Sequence, residues 1–239
     1  MNGYKKMEKI MVDFAPTFIT PLVEKKLKNK DFHSAQTEIE FVIFNGFSEI
    51  SNSLNKLNLI ETFVNIEPPS HENINYSNYL TYHVHNYLQE MFILRERLKT
   101  YSNNIKKRYS KVLDKGNLEN IVTLLMQIIT DFFGAITREG AKGIRNSHVH
   151  IKEFKDVELN WLSSTTFLST FDAEFKIQSK IAYESAKNKW YKVIKDNNLE
   201  VVKLLDIYFD TIYQIISVDD KIVLPKDYTK AFNKTLKKI

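Results

Sequence analysis

The chain has 239 residues, 43% of them hydrophobic and 26% charged, with no cysteine and a formal charge of +5. That length and apolar share suffice for a hydrophobic core, while the missing thiols exclude disulfides, thiolate chemistry and cysteine-based zinc sites, so a metal would need His and carboxylate ligands. The positive balance favours a polyanionic partner; with no apolar run near the roughly 20 residues of a membrane span and no signal-peptide core in "MNGYKKMEKIMVDF", a soluble cytoplasmic protein with no membrane contact is expected.

Six glycines and five prolines leave few turns, so long helices and an all-α bundle are predicted. Residues 1–34, with Pro16 and Pro21, read as an N-terminal arm packed on the bundle, and 35–239 as a single helical domain. Ile39, Ile43, Gly46, Ile50, Leu54 and Leu57 outline the first bundle helix, and "NIEPPSHENINYSN" at 65–78 reads as a loop. From Leu80 the apolar positions Val84, Tyr87, Met91, Leu94, Leu98, Tyr101, Ile105 and Val112 recur at spacings of three and four, skipping Arg108, which predicts one long amphipathic helix. His83 and His85 start that helix about 200° apart on its circumference, too far to share an ion, and read as a polar face.

The same helix carries "RERLKTYSNNIKKRYSK" at 95–111. Arg95, Arg97 and Arg108, with Lys99, Lys106 and Lys107 and the interleaved Tyr101 and Tyr109, suit an RNA strand held by phosphate contacts and base stacking. The stretch reads equally well as a solvated helix face, because Tyr101 belongs to the apolar stripe. After a short break at Asp114 to Gly116, the stripe Leu118, Ile121, Leu125, Ile128, Phe132 and Ile136 predicts a second long helix that stops before Gly140 and packs antiparallel to the first.

Behind the glycines of "REGAKG" comes "GIRNSHVHIKEF" at 143–154, with Arg145, Asn146, His148 and His150 within six positions. Only five arginines stand against 29 lysines, so an arginine here suggests a need for the rigid, permanently charged fork that guanidinium offers phosphate. In a restarted helical turn Asn146 and His150 are i and i+4, and Arg145 and His148 are i and i+3, so all four line one wide cleft. An imidazole that titrates near pH 6.5 takes a proton from a ribose 2′-hydroxyl or gives one to a leaving 5′-oxygen, and an adjacent arginine stabilises the phosphate charge. These are parts for metal-independent RNA cleavage. No close Asp or Glu precedes the two histidines, and helical i, i+2 geometry argues against a shared zinc ion.

Arg145, Asn146 and His150 match R-N-x-x-x-H, and in this respect the chain resembles the HEPN domains, all-helical domains of bacterial toxin and anti-phage proteins and of CRISPR-associated ribonucleases. The helical pattern over about 35–220 is similar as well; outside the motif the match is one of pattern. With five Arg and six His, this motif is expected by chance only about 0.01 times. The resemblance implies a homodimer with one composite site across a two-fold axis and cleavage to 2′,3′-cyclic phosphate and 5′-hydroxyl ends. It implies that Arg145 binds the scissile phosphate, Asn146 positions it and His150 is the acid or base, with His148 auxiliary. RNA contacts are expected from Arg138, Lys142, His148 and Lys152 beside the motif and from Arg95, Arg97 and Arg108; no metal and no cofactor is expected. It also makes room for an antitoxin or other regulatory partner. The toxin subset silenced by nucleotidyl transfer carries a tyrosine two residues after the histidine, where this chain has Lys152.

Downstream, "DAEFKIQSKIAYESAKNKWYKVIKD" and "LEVVKLLDIYFDTIYQIISV" predict two helices separated at Asn197 and Asn198, and the basic tail "KDYTKAFNKTLKKI" is expected to pack on the bundle. Two rival readings stand beside the ribonuclease: a non-catalytic RNA- or nucleotide-binding helical module, and a scaffold subunit whose histidines are incidental.

Overall fold

A computed structural model describes residues 2–27, 39–139 and 156–228. Six α-helices of twelve or more residues carry the described chain: α1 (Gly3–Leu27), α2 (Ile39–Asn65), α3 (Tyr76–Tyr109), α4 (Lys115–Glu139), α5 (Val157–Leu168) and α6 (Glu174–Ile216). A two-residue hairpin follows, β1 (Ser217–Val218) antiparallel to β2 (Lys221–Ile222). Its turn residues Asp219 and Asp220 both take positive φ, 50° and 58°, as a tight primed turn requires. Asp-Asp is a weaker turn signal than Asn-Gly, so the sequence did not announce this hairpin. The fold is mostly helical.

Two compact units divide the chain. The first comprises Met1–Asn52, Arg95–Asp131 and Val202–Ile239; the second comprises Ser53–Leu94 and Phe132–Val201.

In the first unit, buried tyrosines lock helices to one another and to the segment after the hairpin through their hydroxyls. Tyr101 donates to the Ile43 carbonyl at 3.0 Å, Tyr208 to the Leu98 carbonyl at 2.9 Å and Tyr109 to the Val223 carbonyl at 2.8 Å. Burial pushes the Tyr101 phenol well above its ordinary pKa, so it stays protonated and donates at any physiological pH. Two helix contacts depend on missing side chains. A Cβ at Gly3 would lie 2.0 Å from the Asp206 carbonyl oxygen, and one at Gly46 would lie 2.1 Å from the Tyr101 ring. Asp206 uses the first approach: its carboxylate accepts from the Tyr4 N–H at 3.3 Å and from Asn2 Nδ2 at 3.0 Å, tying the start of α1 to α6. The Tyr4, Phe47 and Phe209 rings then pack with centroids 5.2–5.9 Å apart. Residues 3–27 thus form a continuous helix despite Pro16 and Pro21, with Met7, Ile10, Met11 and Phe18 buried.

In the second unit, Leu80, Val84, Tyr87, Met91 and Leu94 of α3 are buried, as their spacing predicts. The expected break at Asn197 and Asn198 is absent, because α6 runs unbroken through both. Asn198 is buried, and its amide donates to the Leu57 carbonyl at 3.3 Å and to Glu61 at 2.8 Å. Tertiary hydrogen bonds here outweigh the poor helix propensity of asparagine.

The buried stripe of α4 is also displaced from the predicted one. Leu118, Val122, Leu125, Ile129 and Phe133 are buried, whereas Ile121 is 37% and Leu124 61% exposed. The sequence has apolar residues side by side at 121/122, 124/125, 128/129 and 132/133, so two stripes fit the helical period equally well, and packing chooses between them. The segment Lys115–Ile136 has a mean hydropathy of 1.3 and is 22% buried; by length and composition it is apolar enough to cross a membrane, although regular spacing rather than a single run carries that apolarity.

Candidate functional site

Arg145, Asn146, His148 and His150, with Lys142 and Lys152, lie outside the described residues, as does the basic tail beyond residue 228. Arg138 belongs to the last turn of α4. The chain returns to described structure at Asp156. Its carboxylate accepts from the Glu158 and Leu159 N–H groups at 3.1 and 3.0 Å and so caps α5, and Lys189 of α6 holds its other oxygen at 2.8 Å. Burial alone would raise the Asp156 pKa, but the Lys189 ammonium and the backbone N–H bond together exceed that and hold the carboxyl below its usual range. The sequence carries one signal for this anchor, an Asp just before an apolar run, which is a standard capping pattern. Asp156→Ala is expected to cost about 1–2 kcal/mol, read as a lowered denaturant midpoint.

The other His-Val-His copy sits two turns into α3 rather than at its start. His83 is buried: it stacks on Phe63 at 5.1 Å between ring centroids and meets the edges of Tyr79 at 4.6 Å and Tyr82 at 5.3 Å. The polar face expected here is therefore an aromatic box. Burial lowers the His83 pKa below 6.5, so the folded chain holds a neutral imidazole. The unfolded chain binds a proton that the folded one refuses, so stability falls as the pH drops below about 6.5 and levels off under the depressed folded value. His83→Phe is expected to flatten this dependence, as measured by urea unfolding at about pH 7.5 and about pH 5.

Along the basic stretch of α3, charge and aromatic residues separate. Tyr101 and Tyr109 are fully buried, so neither offers a face to a base. Arg95 Nε lies 3.6 Å and Lys99 Nζ 3.8 Å from the Glu96 carboxylate, and Lys106 Nζ lies 3.6 Å from Glu119. Arg97 donates to the Glu49 carbonyl at 3.0 Å and helps line a groove of about 430 Å³ with Phe41, Asn45, Gly46, Thr100 and Asn104. Lys107 and Arg108 are exposed, as are Lys111 and Lys115 where α3 gives way to α4. This cluster can meet phosphates, without stacking.

A buried carboxylate that sequence reasoning missed lies elsewhere on α3. Glu90 accepts from Ser53 Oγ at 2.6 Å and lies 3.4 Å from Lys56. Its position between Tyr87 and Leu94 on the apolar face was the available signal. Among the described residues no group of three or more His, Asp or Glu side chains is gathered to hold a metal ion. No family model matches the chain, and no curated protein or solved structure is significantly similar to it.

Proposed function

We propose that this chain is a metal-independent endoribonuclease of the HEPN type, cytoplasmic, active as a homodimer and serving as a toxin or anti-phage effector under an antitoxin or similar partner. The observation that carries the proposal is the R-N-x-x-x-H spacing of Arg145, Asn146 and His150. The mostly helical fold supports it, as does the position of that segment between a long helix and the capped start of α5. RNA supplies its own nucleophile: the 2′-hydroxyl oxygen attacks the adjacent phosphorus as its proton leaves to a base, and the bond to the 5′-oxygen breaks as that oxygen gains a proton. His150 takes or delivers one of these protons, with the site completed by the second copy of the motif. Arg145 balances charge on the non-bridging oxygens, and Asn146 fixes the phosphate. DNA, lacking the hydroxyl, is inert.

Incubating the purified chain with single-stranded RNA in EDTA tests this. Cyclic-phosphate ends from the wild type that disappear in Arg145→Ala and His150→Ala support it, whereas unchanged cleavage in both variants removes these residues from the mechanism. A second reading, a non-catalytic RNA- or nucleotide-binding module, is favoured by the exposed cluster of Lys107, Arg108, Lys111 and Lys115; it expects salt-sensitive RNA retention without cleavage.

A further inference from the structure

The groove between α2 and α3 lies wholly within the first unit and holds about 430 Å³, room for a small planar ligand. Asn45 and Glu49 line its α2 wall, and Arg97, Thr100 and Asn104 its α3 wall. One carboxylate, one guanidinium, two carboxamides and a hydroxyl thus share a single small space. Arg97 ties the walls together: its Nη1 donates to the Glu49 carbonyl at 3.0 Å, which fixes the guanidinium beside Glu49. Glu49, Thr100 and Asn104 are exposed, so the polar groups stand at an open mouth.

The same face of α3 continues past the groove. At 100° per residue, Arg97, Thr100, Asn104, Lys107 and Arg108 fall within an arc of roughly 100°, beside the buried stripe of Leu98, Tyr101 and Ile105. Arg108 stands about 6 Å along the axis from Asn104, within reach of the phosphate next to a base seated in the groove. Exposed cations beside a polar groove suit an unpaired strand, whose phosphates meet the cations while one base turns inward to be read on its edge. Hydrogen-bond matching then selects the base. The pairing edge of guanine presents two adjacent donors, N1–H and the N2 amino group, next to the O6 acceptor. A carboxylate such as Glu49 accepts from both donors at once, and an amide N–H of Asn45 or Asn104 meets O6. Adenine, cytosine and uracil each offer that carboxylate one donor with an acceptor beside it.

We propose that the α2–α3 groove is a subsite for one unpaired guanine of a single-stranded RNA, with Glu49 reading its two donors and Lys107 and Arg108 holding an adjacent phosphate. The proposal rests on RNA as the partner, the premise that the ribonuclease and the binding-module readings share, and does not rest on cleavage. Base preference in binding and the chemistry of RNA ends are separate measurements. A guanine preference without cyclic-phosphate ends removes cleavage and keeps the subsite; cyclic-phosphate ends without a guanine preference do the reverse.

Fluorescence anisotropy of the full chain with short 2′-O-methyl uridine oligomers tests it, because a blocked 2′-oxygen prevents the attack described above. An oligomer with a central guanosine binds about tenfold tighter than one with adenosine or uridine at that position. Inosine, which lacks the N2 amino group, loses most of this preference, and so does Glu49→Gln, a change at an exposed side chain that leaves the fold intact. Replacing Lys107 and Arg108 together by alanine weakens every oligomer alike and keeps the ratio between them. Equal binding of all oligomers, no binding at low salt, or a guanosine preference that survives Glu49→Gln overturns the proposal. Guanosine monophosphate that binds as tightly as the oligomer assigns the groove to a free nucleotide and overturns it too.

Discussion

Gly46→Ala lowers the stability of the chain by about 2–4 kcal/mol, a fall of roughly 5–15 °C in thermal midpoint. Helix propensity alone predicts the opposite, a gain of about 1 kcal/mol, because Gly46 lies inside α2. The sign is decided by Tyr101. The added methyl would sit 2.1 Å from its Cδ2 and 2.8 Å from its Cγ, near the root of a fully buried ring that cannot swing aside without surrendering its hydroxyl bond to the Ile43 carbonyl. Gly116→Ala is the matched control. Its new Cβ meets nothing nearer than an Asp114 carboxylate oxygen at 4.0 Å, so the propensity gain survives and the chain is stabilised by up to about 1 kcal/mol. Circular dichroism melts of both variants read the pair; two shifts of the same sign contradict the packing described for α2 and α3.

These glycines show which parts of the fold the sequence disclosed. The α3 stripe from Leu80 to Ile105 is buried at every predicted position, because nothing on that helix competes with a single apolar face. The α4 stripe was ambiguous, since doubled apolar positions let two faces fit one period. Asn198 misled for another reason: local propensity counts asparagine as a break, while its use as a tertiary donor to Leu57 and Glu61 becomes visible only when α2 lies beside it. His83 likewise reads as polar until Phe63, Tyr79 and Tyr82 surround it. Of the candidate site, the residue types and spacing of Arg145, Asn146 and His150 are legible from sequence; their mutual distances are a tertiary property, and they fall in 140–155, outside the described residues.

His150→Ala is expected to reduce RNA cleavage by about 10²–10⁴-fold, the range of a positioned general acid or base. Arg145→Ala is expected to fall in the same range by a different route, because removing the guanidinium withdraws charge stabilisation from the phosphate oxygens. The two losses are separable. Arg145→Lys retains the charge without the fork and should recover only part of the activity, whereas no cationic replacement at 150 supplies a group that titrates near neutrality. Single-turnover rates on a defined RNA, with folding checked by the same melts, distinguish loss of chemistry from loss of structure. Double substitution should cost little more than either single one, as for groups that act as a unit.

The most direct measurement is the chemical identity of the ends left on a single-stranded RNA after incubation with the wild-type chain in EDTA. A 2′,3′-cyclic phosphate upstream and a 5′-hydroxyl downstream, with a 2′-deoxy substitution at the cut position abolishing the break, is the predicted result. Ends bearing a 3′-hydroxyl and a 5′-phosphate, formed only when a divalent cation is restored, would contradict it.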